Sequence, residues 1–437
     1  LITVGAIVLV FVAAFENLAV TTVMPVISAE LNGEALYAVA FAAPLAASVL
    51  GMVVAGIWCD AAGPRTPLVL AIALFLAGVV IAGIAPSMEL VVAGRLVQGL
   101  GSGGTTVALY VIVARVYAPE LQPKVFGLFS AAWVVPALVG PFIAGVIGET
   151  VGWRWVFLGV AGLIVPASLL VAPAMRTLRQ TATDADARAR WQVGRILWAL
   201  LLAVAVLALS ISTELDGAFV YLLALVALGV AIVALRPLTP PGTLTARRGL
   251  AGAILTKLLL AGGYFSAEIY LPYLLTAEHG LTPALAGLSL TVSGVFWGAA
   301  SLMQGRLGSR LASRTSIRLG IAGVVLAVAI VLVSAAAELP VWVPILGWAL
   351  SGAGMGFAYP RLSVLVLGLS EPEEQGFNSA ALNIADAAGP AMSIAIGGVL
   401  FQTLAPEGSV PAFVAVFALG LALSVASVLV STRLPHR

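Results

Sequence analysis

The sequence predicts an all-α polytopic membrane protein, and two observations support this fold class. The 437-residue chain is 61% hydrophobic and only 9% charged, with a mean hydropathy of +1.12, whereas soluble domains are about 25% charged. Its apolar residues also form continuous runs of about 20 residues, the length that crosses a hydrocarbon core as a helix. Transmembrane strands would alternate in hydrophobicity instead, so helices are favoured over a barrel.

Fourteen predicted spans follow in chain order. We place their limits at 4–27, 36–57, 66–86, 88–114, 124–148, 153–174, 195–212, 218–235, 250–276, 284–304, 316–336, 341–369, 376–403 and 409–432. Many contain glycine or proline, which membrane helices tolerate because neighbouring groups satisfy the freed backbone atoms. The first run is too long for the core of a signal peptide and no cleavage pattern follows it, so we interpret it as a membrane span.

Lysine and arginine predict the orientation. With the N-terminus in the cytoplasm, 17 of the 21 basic residues fall in cytoplasmic loops or tails, and only Arg154 falls on the outer side. The reverse orientation would violate the positive-inside rule. We therefore expect a multi-pass protein of the cell (inner) membrane with both termini cytoplasmic, which requires an even number of spans.

An internal repeat divides the chain. Identities recur at a constant offset of 249 residues, without a gap, over 85 residues. They include Gly56 with Gly305, Arg65 with Arg314, Ser102-Gly103 with Ser351-Gly352, Tyr110 with Tyr359, and Gly140-Pro141 with Gly389-Pro390. This predicts six-helix bundles at 1–175 and 250–437, separated at 176–249 by cytoplasmic linkers and two inserted helices. Parallel repeats with a ligand site at their interface are a transporter arrangement.

Residues that catalysis, disulfides or metal sites need are scarce. A single cysteine, Cys59, excludes an intrachain disulfide, and His279 and His436 have no metal-ligating neighbours in the sequence. We expect no enzyme activity, no metal and no cofactor beyond a proton gradient. A net charge of +2 gives no reason to expect a nucleic-acid partner. The expected partners are the lipid bilayer and a small-molecule or lipid substrate, and we expect a monomer.

Six charged residues are predicted to lie at membrane depth. They are Glu16, Arg95, Lys257, Glu268, Arg361 and Asp386. Each would cost about 2.5–3.5 kcal/mol if it were unpaired at the bilayer centre. Since the sum would exceed the stability of a typical protein, these side chains must face a cavity or one another. Glu16 lies near the middle of the first span, and we interpret it as a protonatable coupling group.

The loop after the second span reads Gly56-Ile-Trp-Cys-Asp60-Ala-Ala-Gly63-Pro-Arg65. It resembles the signature loop of the major facilitator superfamily and matches it at Gly56, Asp60, Gly63 and Arg65. Ala61 stands where the family usually has a basic residue. The resemblance implies a gating role for the four matching residues, and the alternative is an ordinary polar turn.

Span four carries Arg95-Leu-Val-Gln98-Gly99, which resembles the family's motif associated with proton coupling. The resemblance implies that Arg95 takes part in coupling. Because arginine is always charged and can hold a carboxylate bidentately, Arg95 is the best candidate partner for Glu16. Alternatively, Arg95 extends to the outer interface.

Span five contains Gly140-Pro141 and Gly145 and resembles the family's antiporter motif, although Pro136 and Ala144 replace glycines. The resemblance implies gating or conformational roles for Gly140 and Pro141 and favours antiport over symport. The alternative is close helix packing of the ordinary glycine-mediated kind.

Two spans of the second half hold further charges. Lys257 and Glu268 share a face of span nine but lie roughly 16 Å apart along the helix axis, so they cannot touch. Lys257 could extend to the inner interface, and Glu268 either helps to bind a cationic or polar group or faces water. Asp386 in span thirteen is assigned to proton coupling with Glu16 and Arg95. A pair with Arg361 is one option, although the difference in depth argues against direct contact.

The resemblance covers essentially the whole chain and is greatest to the 14-span drug–proton antiporter branch. It implies export of a hydrophobic or amphipathic small molecule by alternating access, with Glu16 exchanging the proton. An uptake symporter and a lipid exporter of the same fold are the alternatives. The predicted lining of the substrate cavity is Asn17, Gln98, Tyr264, Glu268, Tyr270 and Asn383.

Overall fold

Fourteen helices lie within the residues that the structure describes. The computed structural model describes residues 2–117, 125, 128–129, 132–177, 192–212, 218–307, 311–371, 374–405 and 409–435, and these residues contain no strand. The helices are α1 (Ile2–Glu30), α2 (Tyr37–Ala62), α3 (Arg65–Gly83), α4 (Met88–Val116), α5 (Val134–Thr150), α6 (Arg154–Thr177), α7 (Val193–Ile211), α8 (Ala218–Leu235), α9 (Leu250–Ala277), α10 (Pro283–Leu307), α11 (Ser313–Ala336), α12 (Trp342–Leu369), α13 (Gln375–Leu404) and α14 (Ser409–Ser431).

The predicted fold class is confirmed. By length and composition, 13 of these helices could cross a membrane, and the fourteenth, α5, is a shorter apolar helix. The predicted start of span five, residue 124, lies outside the described residues.

Helix α12 differs from its prediction, because a break at Trp348 separates Trp342–Gly347 from Ala349–Leu369. The Trp348 carbonyl oxygen accepts both the backbone N–H of Ser351, at 3.1 Å, and its hydroxyl, at 2.6 Å. A serine hydroxyl that bonds the local backbone in this way competes with the regular helical ladder. The break lies six residues, a little under two turns, after the start of α12.

The two ends of the helical bundle are distinguished by the chain termini. The side-chain amide of Gln402, near the end of α13, donates to the Glu34 carbonyl in the turn after α1, at 2.7 Å. Helices α1 and α13 therefore finish at the same end, called here the opposite end. Because α14 runs back from there, α1 begins and α14 finishes at the other end, called the terminal end.

Repeated glycines allow equivalent close helix contacts in the first six and the last six helices. A Cβ on Gly103 in α4 would overlap the Ser48 carbonyl oxygen in α2, and one on Gly352 in α12 would overlap the Ser293 carbonyl oxygen in α10. Small residues let membrane helices approach this closely. Gly103 and Gly352 are partners in the 249-residue repeat.

The helices α7 and α8 lie outside the contact between the first six and the last six helices. Helix α7 packs against both α2 and α13, and α8 packs mainly against α7. At the terminal end the Arg195 guanidinium of α7 lies 4.6 Å from the ring centroid of Phe377 in α13. The inserted pair therefore covers the α2–α13 seam.

Gly352→Ala should destabilise the protein by about 1–3 kcal/mol, because the added methyl group meets a backbone carbonyl rather than a flexible side chain. Gly229→Ala in α8 is the matched control, since its Cβ would meet nothing within 4 Å and alanine has the higher helix propensity. Thermal unfolding of both purified variants in detergent measures the difference. Equal midpoints would contradict the packing described here.

Candidate coupling site and its neighbours

The coupling site begins with a proline in α2. Pro44 has no N–H, so the carbonyl of Ala40, four residues earlier, loses its usual helical partner. The Arg95 side chain of α4 occupies this position, and its Nε donates to the Ala40 oxygen at 3.0 Å. Gly99 permits the approach, because a Cβ there would overlap the Pro44 backbone. The sequence of α2 thus creates an acceptor that fixes the arginine.

Glu16 and Arg95 form a buried ion pair. The Arg95 Nη1 lies 2.5 Å from the Glu16 Oε1, and both side chains are 4% exposed. The same Nη1 also donates to the Gln98 side-chain oxygen at 3.2 Å. The structure therefore brings together Glu16, Arg95 and Gln98, and the alternative in which Arg95 extends to the interface is wrong.

A second ion pair lies in the last six helices. The Lys257 Nζ of α9 lies 3.5 Å from the Asp386 Oδ2 of α13 and 4.4 Å from the centre of the Tyr359 ring. The Tyr359 hydroxyl donates to the other Asp386 oxygen at 2.8 Å. Lys257 is therefore buried against Asp386, and the interpretation in which it extends to the interface is wrong.

The Asp386 carboxylate is open to the space between the two sets of helices. Its side chain is 33% exposed, against 6% for Lys257, and it interacts electrostatically with Tyr110 of α4. Arg361 lies instead beside Gln304, at a small pocket between α10 and α12.

Glu268 and Tyr264 lie in a polar cluster formed by α9, α10 and α12. The Tyr264 hydroxyl donates to the Glu268 Oε1 at 2.7 Å and lies 3.1 Å from the Ser293 hydroxyl. Ser293 in turn lies 3.2 Å from Ser351. The Glu268 side chain is buried, so of the two sequence interpretations the one in which it simply faces water is wrong.

Hydrogen bonds at the opposite end join the two sets of helices. The Tyr37 hydroxyl donates to the Ile269 carbonyl at 3.0 Å, and the Glu149 carboxylate accepts the backbone N–H of Ala284 at 2.8 Å. With the bond between Gln402 and Glu34, three side-chain hydrogen bonds link the sets at this end. We call this group the opposite-end seal.

Tyr270 packs within the opposite-end seal. Its ring lies 5.6 Å from that of Tyr37 and 5.4 Å from that of Phe401. Asn383 donates to the Ser379 carbonyl on its own helix at 3.0 Å, and the backbone carbonyl of Asn17 accepts from Thr21 at 2.9 Å. The assignment of Tyr270, Asn383 and Asn17 to a substrate cavity stays a prediction.

The residues of the two gating motifs take distinct positions. Gly63 ends α2 with φ +80° and ψ 166°, a conformation that is essentially restricted to glycine, and Arg65 is exposed at the start of α3. The Asp60 side chain lies outside the described residues. A Cβ on Gly56 would lie 3.7 Å from the Val107 side chain, and one on Gly140 would lie 3.4 Å from the Phe15 ring. The Pro141 carbonyl packs against Gly287 of α10.

Sequence reasoning missed several members of these sites. Ala40 was signalled only indirectly, by Pro44 in an apolar helix. Nothing in the sequence marked Ser293 as a member of a polar cluster, and Ser351 stood out only as an identity in the repeat. Hydroxyl groups are common in membrane helices and usually bond their own backbone. Trp348 gave no signal because the broken helix reads as a continuous apolar run.

The fold and the buried pairs define an all-helical membrane transporter of two packed helix sets. The family model of the Major Facilitator Superfamily matches residues 6–343 and 253–437. The chain therefore belongs to the Major Facilitator Superfamily, a family of membrane transporters, and the predicted resemblance is confirmed.

Two curated relatives illustrate the similarity. The chain is 25% identical over 431 residues to a probable multidrug-efflux transporter of Mycobacterium tuberculosis, covering 95% of this chain and 90% of that one. It is 32% identical over 177 residues to the MFS-type transporter of the acurin A biosynthesis cluster of Aspergillus aculeatus. That match covers 40% of this chain and 31% of the relative, so it spans about a third of that protein's length.

Solved structures share the fold at low sequence identity. A POT family transporter in complex with a thioalcohol-conjugated peptide superposes with a TM-score of 0.69 at 14% identity, covering 97% of this chain and 95% of that one. A D-xylose–proton symporter superposes with a TM-score of 0.67 at 16% identity, covering 99% and 96%.

The Glu16–Arg95 interaction should show a coupling energy of roughly 2–3 kcal/mol in a double-mutant cycle, because the pair is buried and each group is left uncompensated when the other is removed. The variants are Glu16→Gln, Arg95→Gln and the double substitution. The free energy of unfolding of each, measured in detergent, gives the coupling energy.

The pair between Glu30 and Arg154 is the control. Its side chains are 49% and 40% exposed, so its coupling energy should be at most about 1 kcal/mol. If the two pairs gave equal values, burial would not govern the strength of the Glu16–Arg95 interaction.

Proposed function

We propose that the protein exports a hydrophobic or amphipathic small molecule in exchange for protons, by alternating access. The observation that carries the proposal is the buried Glu16–Arg95 pair. A carboxyl group is the ordinary proton carrier in membrane helices, and acids at this depth mark proton or substrate pathways.

The surroundings of Arg95 suit a site that gains and loses a proton. When Glu16 is ionised, it neutralises the guanidinium. When Glu16 takes a proton, Arg95 keeps two neutral acceptors, the Ala40 carbonyl at 3.0 Å and the Gln98 amide oxygen at 3.2 Å. The permanent cation is therefore hydrogen-bonded in both states, which limits the energetic cost of protonation.

Asp386 supplies the corresponding acid in the last six helices. Its partly exposed carboxylate faces the space between the two sets, while Lys257 and Tyr359 hold it from behind. We assign it a role in proton exchange or in contact with the polar part of the substrate. The tyrosines beside it, Tyr359 and Tyr110, favour a substrate with apolar or aromatic parts.

The proposed cycle uses the opposite-end seal as one gate. We infer that the terminal end faces the cytoplasm, in agreement with the basic residues there, and that the protein resides in the cell membrane. The efflux function named for the Mycobacterium tuberculosis relative and the Gly140-Pro141 motif support export. Proton-driven uptake and lipid export are the alternatives that the experiments below distinguish.

Glu16→Gln should abolish proton-driven transport, because the amide keeps the shape of the side chain but cannot carry a proton. Vesicles that contain the purified protein would be loaded with a lipophilic fluorescent dye, and a pH jump would then be applied in either direction. Wild-type protein should move dye in the direction opposite to the flow of protons. The variant should lose this response while still binding dye.

Glu30→Gln is the control, since Glu30 is an exposed acid on the same helix, and it should keep the response. Dye that moves in the same direction as the protons would establish symport. Headgroup-labelled lipid that crosses the bilayer in place of dye would establish a lipid exporter. Unchanged proton-driven transport in Glu16→Gln would remove Glu16 from the mechanism.

Locking the opposite-end seal should stop transport, because its contact between α13 and the turn after α1 must separate in every cycle. Glu34→Cys and Gln402→Cys would be combined and joined by a short reagent that links two thiols and can be cleaved by reduction, since the Gln402 side chain reaches the Glu34 backbone. Cross-linking should abolish dye exchange and cleavage of the reagent should restore it. Each single cysteine variant serves as the control, and persistent transport after complete cross-linking would contradict the proposed gate.

A further inference from the structure

Glu268 is a second buried carboxyl group, and it ends a chain of hydroxyl groups. Its side chain accepts a hydrogen bond from Tyr264 at 2.7 Å. From Tyr264 the chain continues through Ser293 and Ser351, and Ser351 donates to the Trp348 carbonyl at the break in α12. Glu268 itself is only 5% exposed.

The helices packed around α9 bring no basic side chain to Glu268 within the part of the chain that the structure describes. Helix α14 carries no charge, α1 carries only Glu16 and Glu30, and α13 carries only Asp386. The basic residues of the other neighbours all lie in the terminal-end halves of their helices: Arg306 on α10, Arg314 and Arg318 on α11, and Arg361 on α12.

Groups on α9 itself do not neutralise Glu268 either. Lys257 lies about 16 Å away along the helix axis and is paired with Asp386. The other titratable groups that face Glu268 are the hydroxyls of Tyr264 and Tyr359, which are uncharged. A buried carboxylate without a counter-cation is strongly disfavoured, so such a group takes a proton instead.

The position of Glu268 links it to the opposite-end seal. The next residue, Ile269, offers the backbone carbonyl that accepts from Tyr37 of the first six helices. When this contact separates, the α9 segment that carries Glu268 loses its cover at the opposite end. Hydroxyl groups both donate and accept hydrogen bonds, so the Tyr264–Ser293–Ser351 chain can re-form around either state of the carboxyl group.

We propose that Glu268 is a further proton-binding site, which is protonated while the opposite-end seal is closed and exchanges its proton when the seal opens. This inference rests on the proposed proton-coupled transport and adds one proton to those exchanged at the sites proposed above. The ligand is the proton, bound to the carboxyl group that Tyr264 positions.

The first test needs no substrate. Infrared difference spectra of the full-length protein, recorded between acid and alkaline pH, should contain a protonated-carboxyl band that Glu268→Gln removes and Glu16→Gln leaves in place. Tyr264→Phe should shift this band without removing it, since the carboxyl group loses only its hydrogen-bond donor. If the Glu268→Gln spectrum equals that of the wild type, the inference fails.

The second test counts protons. In vesicles, the pH gradient that just balances a dye gradient gives the number of protons exchanged per dye molecule, and Glu268→Gln should lower this number by one. An unchanged number, or transport that requires sodium ions, would overturn the inference. If the wild-type protein does not exchange dye for protons at all, the proposed function fails, while the infrared spectra still decide whether Glu268 binds a proton.

Discussion

A charged side chain in an apolar helix must be paired, hydrogen-bonded or neutralised, and this constraint organises the interior of the protein. Glu16 meets it through Arg95, and Lys257 meets it through Asp386. Glu268 meets it differently, through hydroxyl groups that contribute no charge. Each solution holds its carboxyl group in a different electrostatic environment, and a transporter needs such differences if its acids are to release protons at different stages of a cycle.

Prolines provide part of the framework that holds these groups. Pro44 frees the Ala40 carbonyl for Arg95, and Pro360 likewise frees the Gly356 carbonyl, which accepts from Ser301 at 3.4 Å. A proline within a membrane helix thus exposes an acceptor where a neighbouring helix can use it. Glycines beside these positions let the donor helix come close enough, so helix packing and polar contacts depend on the same short segments.

The sequence predicted the helices and marked Arg95 as the best candidate partner of Glu16, because a mid-span acid and an arginine motif are conspicuous in an apolar chain, but it left open whether the two side chains meet. It was insufficient for Lys257 and Asp386. The sequence shows how deep a residue lies along its helix. It does not show how α9 is rotated about its axis or tilted against α13, and the rotation and tilt decide which side chains meet. The break at Trp348 was also hidden, since it lies within a run that is apolar throughout.

The inserted helices make the two seams between the helix sets unequal. Helix α7 covers the α2–α13 seam, whereas the neighbouring faces of α5 and α10 expose large apolar side chains, including Phe142 and Phe296 at 47% and 48%. Along that second seam, Gly294 packs against the backbone of Ala137. The α2–α13 seam also contains a close approach, since a Cβ on Gly398 would lie 2.5 Å from the Ala38 side chain. Small residues therefore bring the helices together along both seams. What distinguishes the two seams is their cover: in the proposed cycle α7 shields the α2–α13 seam from lipid, whereas the exposed rings of Phe142 and Phe296 lie beside the other seam.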